Sequence, residues 1–152
     1  MTTQLLRDVA LFKTLSDAEL DAMKELWSFR HVPPRQQIIA EGEPMHEFFI
    51  VGAGVVHVRR NSQGHDVLLA RILRGGVFGE LNLFSEGAAT ASIYAMEEVR
   101  LAVTSNSSFR AFMDGRPDIG YKITTLLLDE VSGRLRKTND RLVQSSFWTG
   151  AS

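Results

Sequence analysis

Leu73-Arg74-Gly75-Gly76-Val77-Phe78-Gly79-Glu80-Leu81-Asn82-Leu83-Phe84 is the stretch on which the reading of this chain turns. Its glycines let the backbone approach a ligand with no Cβ in the way. A short helix opening just after Gly79 aims free N–H groups and its positive dipole end at an anion. Apolar strand, glycine turn and short helix in that order predict an anion cassette with Gly79, Glu80 and Leu81 at its tip.

Working outward, short β-branched or aromatic runs flank the cassette: Ile38-Ile39, Phe48 to Val51, Val55 to Val58, Val67 to Leu73 and Val99 to Val103. Turn signals separate them at Glu41-Gly42-Glu43-Pro44, Gly52-Ala53-Gly54 and Asn61-Ser62-Gln63-Gly64. Several short strands with no long helix between them predict an antiparallel sandwich or barrel, not a βαβ fold. Upstream, Leu5, Leu6, Val9 and Phe12 suggest a short helix. Ser16 and Glu19 then form a capping box for a second one, whose apolar face is Leu20, Met23 and Trp27. Pro33-Pro34 ends the helical region.

Helical spacing returns at Phe109, Phe112 and Met113, and Pro117 suits the first turn of a further helix. Its stripe, Ile119, Ile123, Leu126, Leu127, Val131, Leu135 and Leu142, spans about 25 residues, more than twice the usual helix. The helix is therefore expected to outrun its own core, with Ile123, Leu127, Val131 and Leu135 as a dimer interface. The organisation expected is one domain over 1–147, helical over 1–30, a β-roll over 31–104 and C-terminal helices over 105–145, with a flexible tail at 148–152.

A chain of 152 residues can bury one core unaided. Its 17 Lys and Arg against 18 Asp and Glu provide no positive field for phosphate backbones. With no cysteine, disulfides, thiolate metal sites and thiol catalysis are excluded. The N-terminus lacks a signal-peptide pattern, and no apolar run could span a membrane, so a soluble cytoplasmic protein is expected. His31, His46, His57 and His65 are scattered, with no metal-ligand spacing, and read as surface residues. Arg59-Arg60 and Arg134-Arg136-Lys137 read as solvated faces. No GxSxG elbow, P-loop or GxGxxG turn is present, so the expectation is a non-enzyme with no required cofactor.

The cassette, together with Gly42, Phe48-Phe49-Ile50-Val51-Gly52-Ala53-Gly54-Val55-Val56 and the long terminal helix, resembles the cyclic-nucleotide-binding domain family. That family includes the sensory half of the catabolite activator (Crp-Fnr-like) proteins, and the resemblance runs from about Leu11 to Leu142. It implies a mainly β, α+β fold: an antiparallel double-stranded β-helix (jelly-roll-like) with N-terminal helices, a short cassette helix and a long C-terminal helix. It implies cyclic AMP or cyclic GMP as ligand and gives Glu80 the ribose 2′-hydroxyl. A downstream arginine should pair with the phosphate, beside a Ser or Thr hydroxyl.

Here the sequence departs from the family. Ungapped, Ala89 falls at the arginine position and Ser92 at the hydroxyl; in a second register Thr90 takes the arginine's place. No Lys or Arg lies between Arg74 and Arg100, so the cation is missing either way. A hydrogen bond to a charged group contributes roughly 1.5–3 kcal/mol, so affinity should fall by one to two decades. The segment Ala88-Ala89-Thr90-Ala91-Ser92 would still line the ligand. On the terminal helix the resemblance places Thr138 and Asn139 against the purine, the second across a dimer. The family's DNA-binding helix-turn-helix would follow beyond Ser152, so no direct DNA binding is expected.

Two readings follow. One is a sensor of a cyclic or related anionic nucleotide that signals through its terminal helix. The other is a degenerate domain kept for dimerisation or for docking a protein, in which Gly79 and Glu80 serve the fold. A haem-based gas sensor is a third, opposed by the scattered histidines.

Overall fold

The structure is a computed structural model and describes residues 1–150, with side chains to residue 146. Two four-stranded antiparallel sheets face each other. The first has β1 (Ser28–Val32), β8 (Val99–Ser105), β3 (Glu47–Ala53) and β6 (Val77–Phe78) in that order. The second has β2 (Gln37–Ile39), β7 (Ser92–Ala95), β4 (Val56–Ser62) and β5 (His65–Ile72). The jelly-roll expectation is thus met. The β4–β5 hairpin closes at Gln63-Gly64, both with positive φ, the signature of a turn that matches strand twist. Asn61 Oδ1 accepts the Gly64 N–H across it.

Strand alternation sends β3 and β8 residues into two different cores. Phe49, Val51, Leu101 and Val103 point between the sheets, where they meet Val56, Phe78, Ile93 and Ala95. Phe48, Ile50 and Ala102 point the other way, into a core covered by helices. Because both faces are covered, the β3 run Phe48–Val51 is apolar throughout and buried throughout. The helical cover comprises α1 (Thr3–Asp8), α2 (Asp17–Met23), α3 (Asn106–Gly115) and α4 (Pro117–Gly150). Phe12, Trp27, Phe48 and Phe109 interlock there, with Phe48–Phe109 and Trp27–Phe48 ring centroids 5.3 Å apart. The Ser16–Glu19 capping box forms as expected, and Glu19 also accepts from Lys122 Nζ of α4 at 2.8 Å.

The structure corrects several expectations. The chain becomes extended at Ser28 rather than residue 31, because Ser28–Val32 pairs along β8. Helix α4 has 34 residues and runs through most of the expected tail; residues 151–152 lie outside the described residues. His57 is buried, not a surface histidine. Ile123 and Leu127 belong to the domain's own core, so they cannot serve as a dimer surface, and Val131 is half-buried against that core. Of the four, Leu135 alone stands out, on a different stripe: Tyr121, Leu128, Leu135 and Leu142, at heptad spacing, are 74%, 64%, 59% and 60% exposed.

Candidate functional site

Strand β6 delivers the chain to Gly79, which sits at φ +82°. A Cβ there would run into the Glu47 carbonyl of β3, so both the dihedral and the space require glycine. One 3-10 turn of four residues follows, Glu80–Leu83. This is the cassette helix foreseen from sequence, shorter than a helix with an appreciable macrodipole. Leu83 anchors the turn in the helical core. Leu81 projects outward, 44% exposed. Asn82 Nδ2 donates to the carbonyls of Ser85 and Gly87 at 3.3 and 3.1 Å, which holds the following loop.

Glu80 is 8% exposed. Its carboxylate accepts from its own backbone N–H and faces α4, where Arg134 Nη2 lies 3.8 Å from Oε1. Arg134 also pairs with Glu130, one turn back on the same helix. Burial raises the Glu80 pKa above its ordinary value, and the Arg134 charge only partly opposes this. A hollow of about 520 Å³ opens beside the pair, between the β5–β6 turn (Arg71 to Val77) and α4.

The other expected ligand residues are placed differently. Ala89 donates its N–H to the Glu43 carbonyl and accepts from the Gly42 N–H, both at 2.8 Å. The Ala89 and Ala91 side chains are buried, while Thr90 is exposed. Ser92 Oγ accepts the Glu41 N–H at 2.9 Å. This segment therefore fastens the β2–β3 loop, and its backbone is engaged there rather than at Glu80. Ala88 bridges to Pro44 and lines a separate cavity of about 420 Å³ with Met45, His46, Asn106 and Arg110. Thr138 Oγ1 donates back to the Arg134 carbonyl at 3.0 Å, and both Thr138 and Asn139 are exposed.

Arg134 is the site residue that the sequence reading missed, having placed it in a solvated basic cluster. Its signal was positional: it lies on the Ile123, Leu127, Val131 side of α4, one heptad beyond Leu127. The buried His57 holds its Nδ1 3.2 Å from Arg59 Nη2. Burial first, then the Arg59 and Arg71 charges, lower its pKa. No cluster of potential metal ligands occurs among the described residues, and no described helix is long and apolar enough to cross a membrane.

The family model of the cyclic nucleotide-binding domain matches residues 29–116, from β1 to the end of α3. The chain belongs to the cyclic nucleotide-binding domain family. A CRP-like cAMP-activated global transcriptional regulator of Mycobacterium tuberculosis is 28% identical over 145 residues, covering 95% of this chain and 63% of that protein. A cAMP-dependent protein kinase regulatory subunit of Mycosarcoma maydis is 35% identical over 72% of this chain and 21% of its own length. This cyclic nucleotide-binding domain thus spans less than two thirds of these curated relatives. Among solved structures, Thermus thermophilus catabolite activator protein superposes with TM-score 0.81 at 27% identity, over 91% of this chain and 63% of that one. The N-terminal domain of a Streptomyces coelicolor transcriptional regulator gives 0.78 at 29%, over 91% and 94%. The relatives that bear these names are regulatory proteins.

Proposed function

We propose that this domain binds a cyclic nucleotide, or a related anionic nucleotide, in the hollow beside Glu80 and transmits the occupied state through α4. The observation that carries this reading is the buried Glu80 facing Arg134: the cassette tip and the long helix meet in one ion pair. A ligand hydroxyl that takes the Glu80 carboxylate must alter that pair, and the position of α4 then depends on occupancy. The cassette's missing arginine makes weak binding the expectation. Isothermal calorimetry and thermal shift with cyclic AMP, cyclic GMP and cyclic dinucleotides test it: a saturable response to one of them supports the reading, and none at millimolar concentration overturns it.

The exposed leucines of α4 support a homodimer formed along that helix, and they also favour a second reading: a degenerate domain used for dimerisation or protein docking without a nucleotide. Glu80→Ala separates the two. The sensor loses its ligand response, whereas the scaffold keeps its assembly and has no response to lose. In both readings the domain carries out no catalysis.

A further inference from the structure

We propose that the cation missing from the cassette is supplied by α4: Arg134 receives the phosphate of the bound nucleotide. The inference rests on the nucleotide-binding reading and names the group that makes it workable in this chain. No Lys or Arg lies between Arg74 and Arg100, so the cassette has no positive charge of its own. Its backbone offers little in compensation. The turn after Gly79 is four residues long, the Glu80 N–H serves its own carboxylate, and the Ala89 N–H serves Glu43.

Arg134 is the cation that reaches Glu80, at 3.8 Å. In a ribose 3′,5′-cyclic phosphate, the carbon bearing the 2′-hydroxyl adjoins the carbon whose oxygen enters the phosphate ring. A guanidinium against the carboxylate that takes the hydroxyl is therefore within reach of the phosphate as well. Its fork of donors can serve a carboxylate and a phosphate oxygen together. Two other arginines border the hollow. Arg74 is engaged by Asp8, and Arg71 is an exposed residue of β5 paired across the strand with His57. Neither is set against Glu80.

Arg134 also has somewhere to come from. Arg134 is paired with Glu130 on its own helix as well as with Glu80. A phosphate in the hollow competes for it, and because the guanidinium belongs to α4, meeting the ligand's charge acts on the helix directly. A cassette arginine would hold the phosphate without touching α4. Loss of one and use of the other thus join binding to signalling in a single contact.

The test uses the full chain and fluorescein-labelled cyclic AMP and cyclic GMP, read by anisotropy, with unlabelled adenosine as a competitor that lacks the phosphate. Arg134→Gln should weaken cyclic-nucleotide binding 10- to 100-fold, the range for losing a charge-assisted hydrogen bond. Arg134→Lys should fall between, keeping charge but not the fork. Arg136→Gln, at an exposed arginine of the same helix that does not line the hollow, should bind within about threefold of wild type. Adenosine should compete equally well against wild type and Arg134→Gln. Arg134→Gln also removes the counter-charge of the buried Glu80, so melting temperatures are measured alongside and binding is read well below the lowest of them. If wild type binds and Arg134→Gln binds equally well, or loses adenosine to the same degree, the inference is overturned while nucleotide binding stands. If wild type binds neither cyclic nucleotide, both fall.

Discussion

Gly79 holds φ +82° with the Glu47 carbonyl where a Cβ would stand. Gly79→Ala should therefore lower stability by about 2 kcal/mol or more in urea unfolding, the left-handed penalty plus displacement of β3. Glu80 next to it behaves in the opposite sense. Burial raises its pKa above the 4.5 of a free glutamate, so the folded state binds that proton more tightly than the unfolded chain. Its contribution to stability is complete below the unfolded value and is lost as pH rises through the folded one. At neutral pH the buried carboxylate destabilises the fold. Glu80→Gln should melt higher than wild type at pH 7, with the gap closing on acidification; a variant that melts lower at pH 7 contradicts this.

Among the elements, α4 is the one on which domain and site both depend. Its first half is bound into the core through Ile119, Ile123 and Leu127, and through the Lys122–Glu19 contact to α2. The Lys122 hydrogen bond first, then the Ser16 N–H, lower the Glu19 pKa. That stabilisation is present above the ordinary carboxylate value and fades as pH falls through the lowered one. Glu19→Gln should therefore melt lower than wild type at pH 7 and approach it below about pH 4, since only the charged form gains from the contact. Phe109 connects α3 to Phe12, Trp27 and Phe48. Phe109→Ala should lower stability by about 3–5 kcal/mol, the range for emptying a packed aromatic site.

For the whole molecule the decisive surface is the outer face of α4. Tyr121, Leu128, Leu135 and Leu142 form one exposed seam, and a heptad repeat of this kind suits a second helix in a left-handed pair. If the proposed homodimer forms along this seam, light scattering should show a dimer for wild type and a monomer when Leu128 and Leu135 are both changed to Lys; a wild-type monomer overturns it. Surface positions of this kind change stability within about 0.5 kcal/mol each, so any large loss of stability would itself indicate that the seam is buried in the assembly.

Local chemistry settled much of this protein before any coordinates. The capping box at Ser16, the glycine turn at Gly79, the strand runs and the absence of a cation between Arg74 and Arg100 depend on residues close in sequence, and each was legible there. Tertiary structure decided everything that depends on which face of an element meets which neighbour. The apolar stripe of α4 read as a single feature, but packing divides it: Ile123 and Leu127 turn inward, Leu135 outward, and Arg134 toward the cassette. Likewise Ala89 and Ser92 have their polar groups engaged by the β2–β3 loop, a partner some fifty residues away in sequence. Periodicity records that a helix has faces; only the packed chain determines what each face touches.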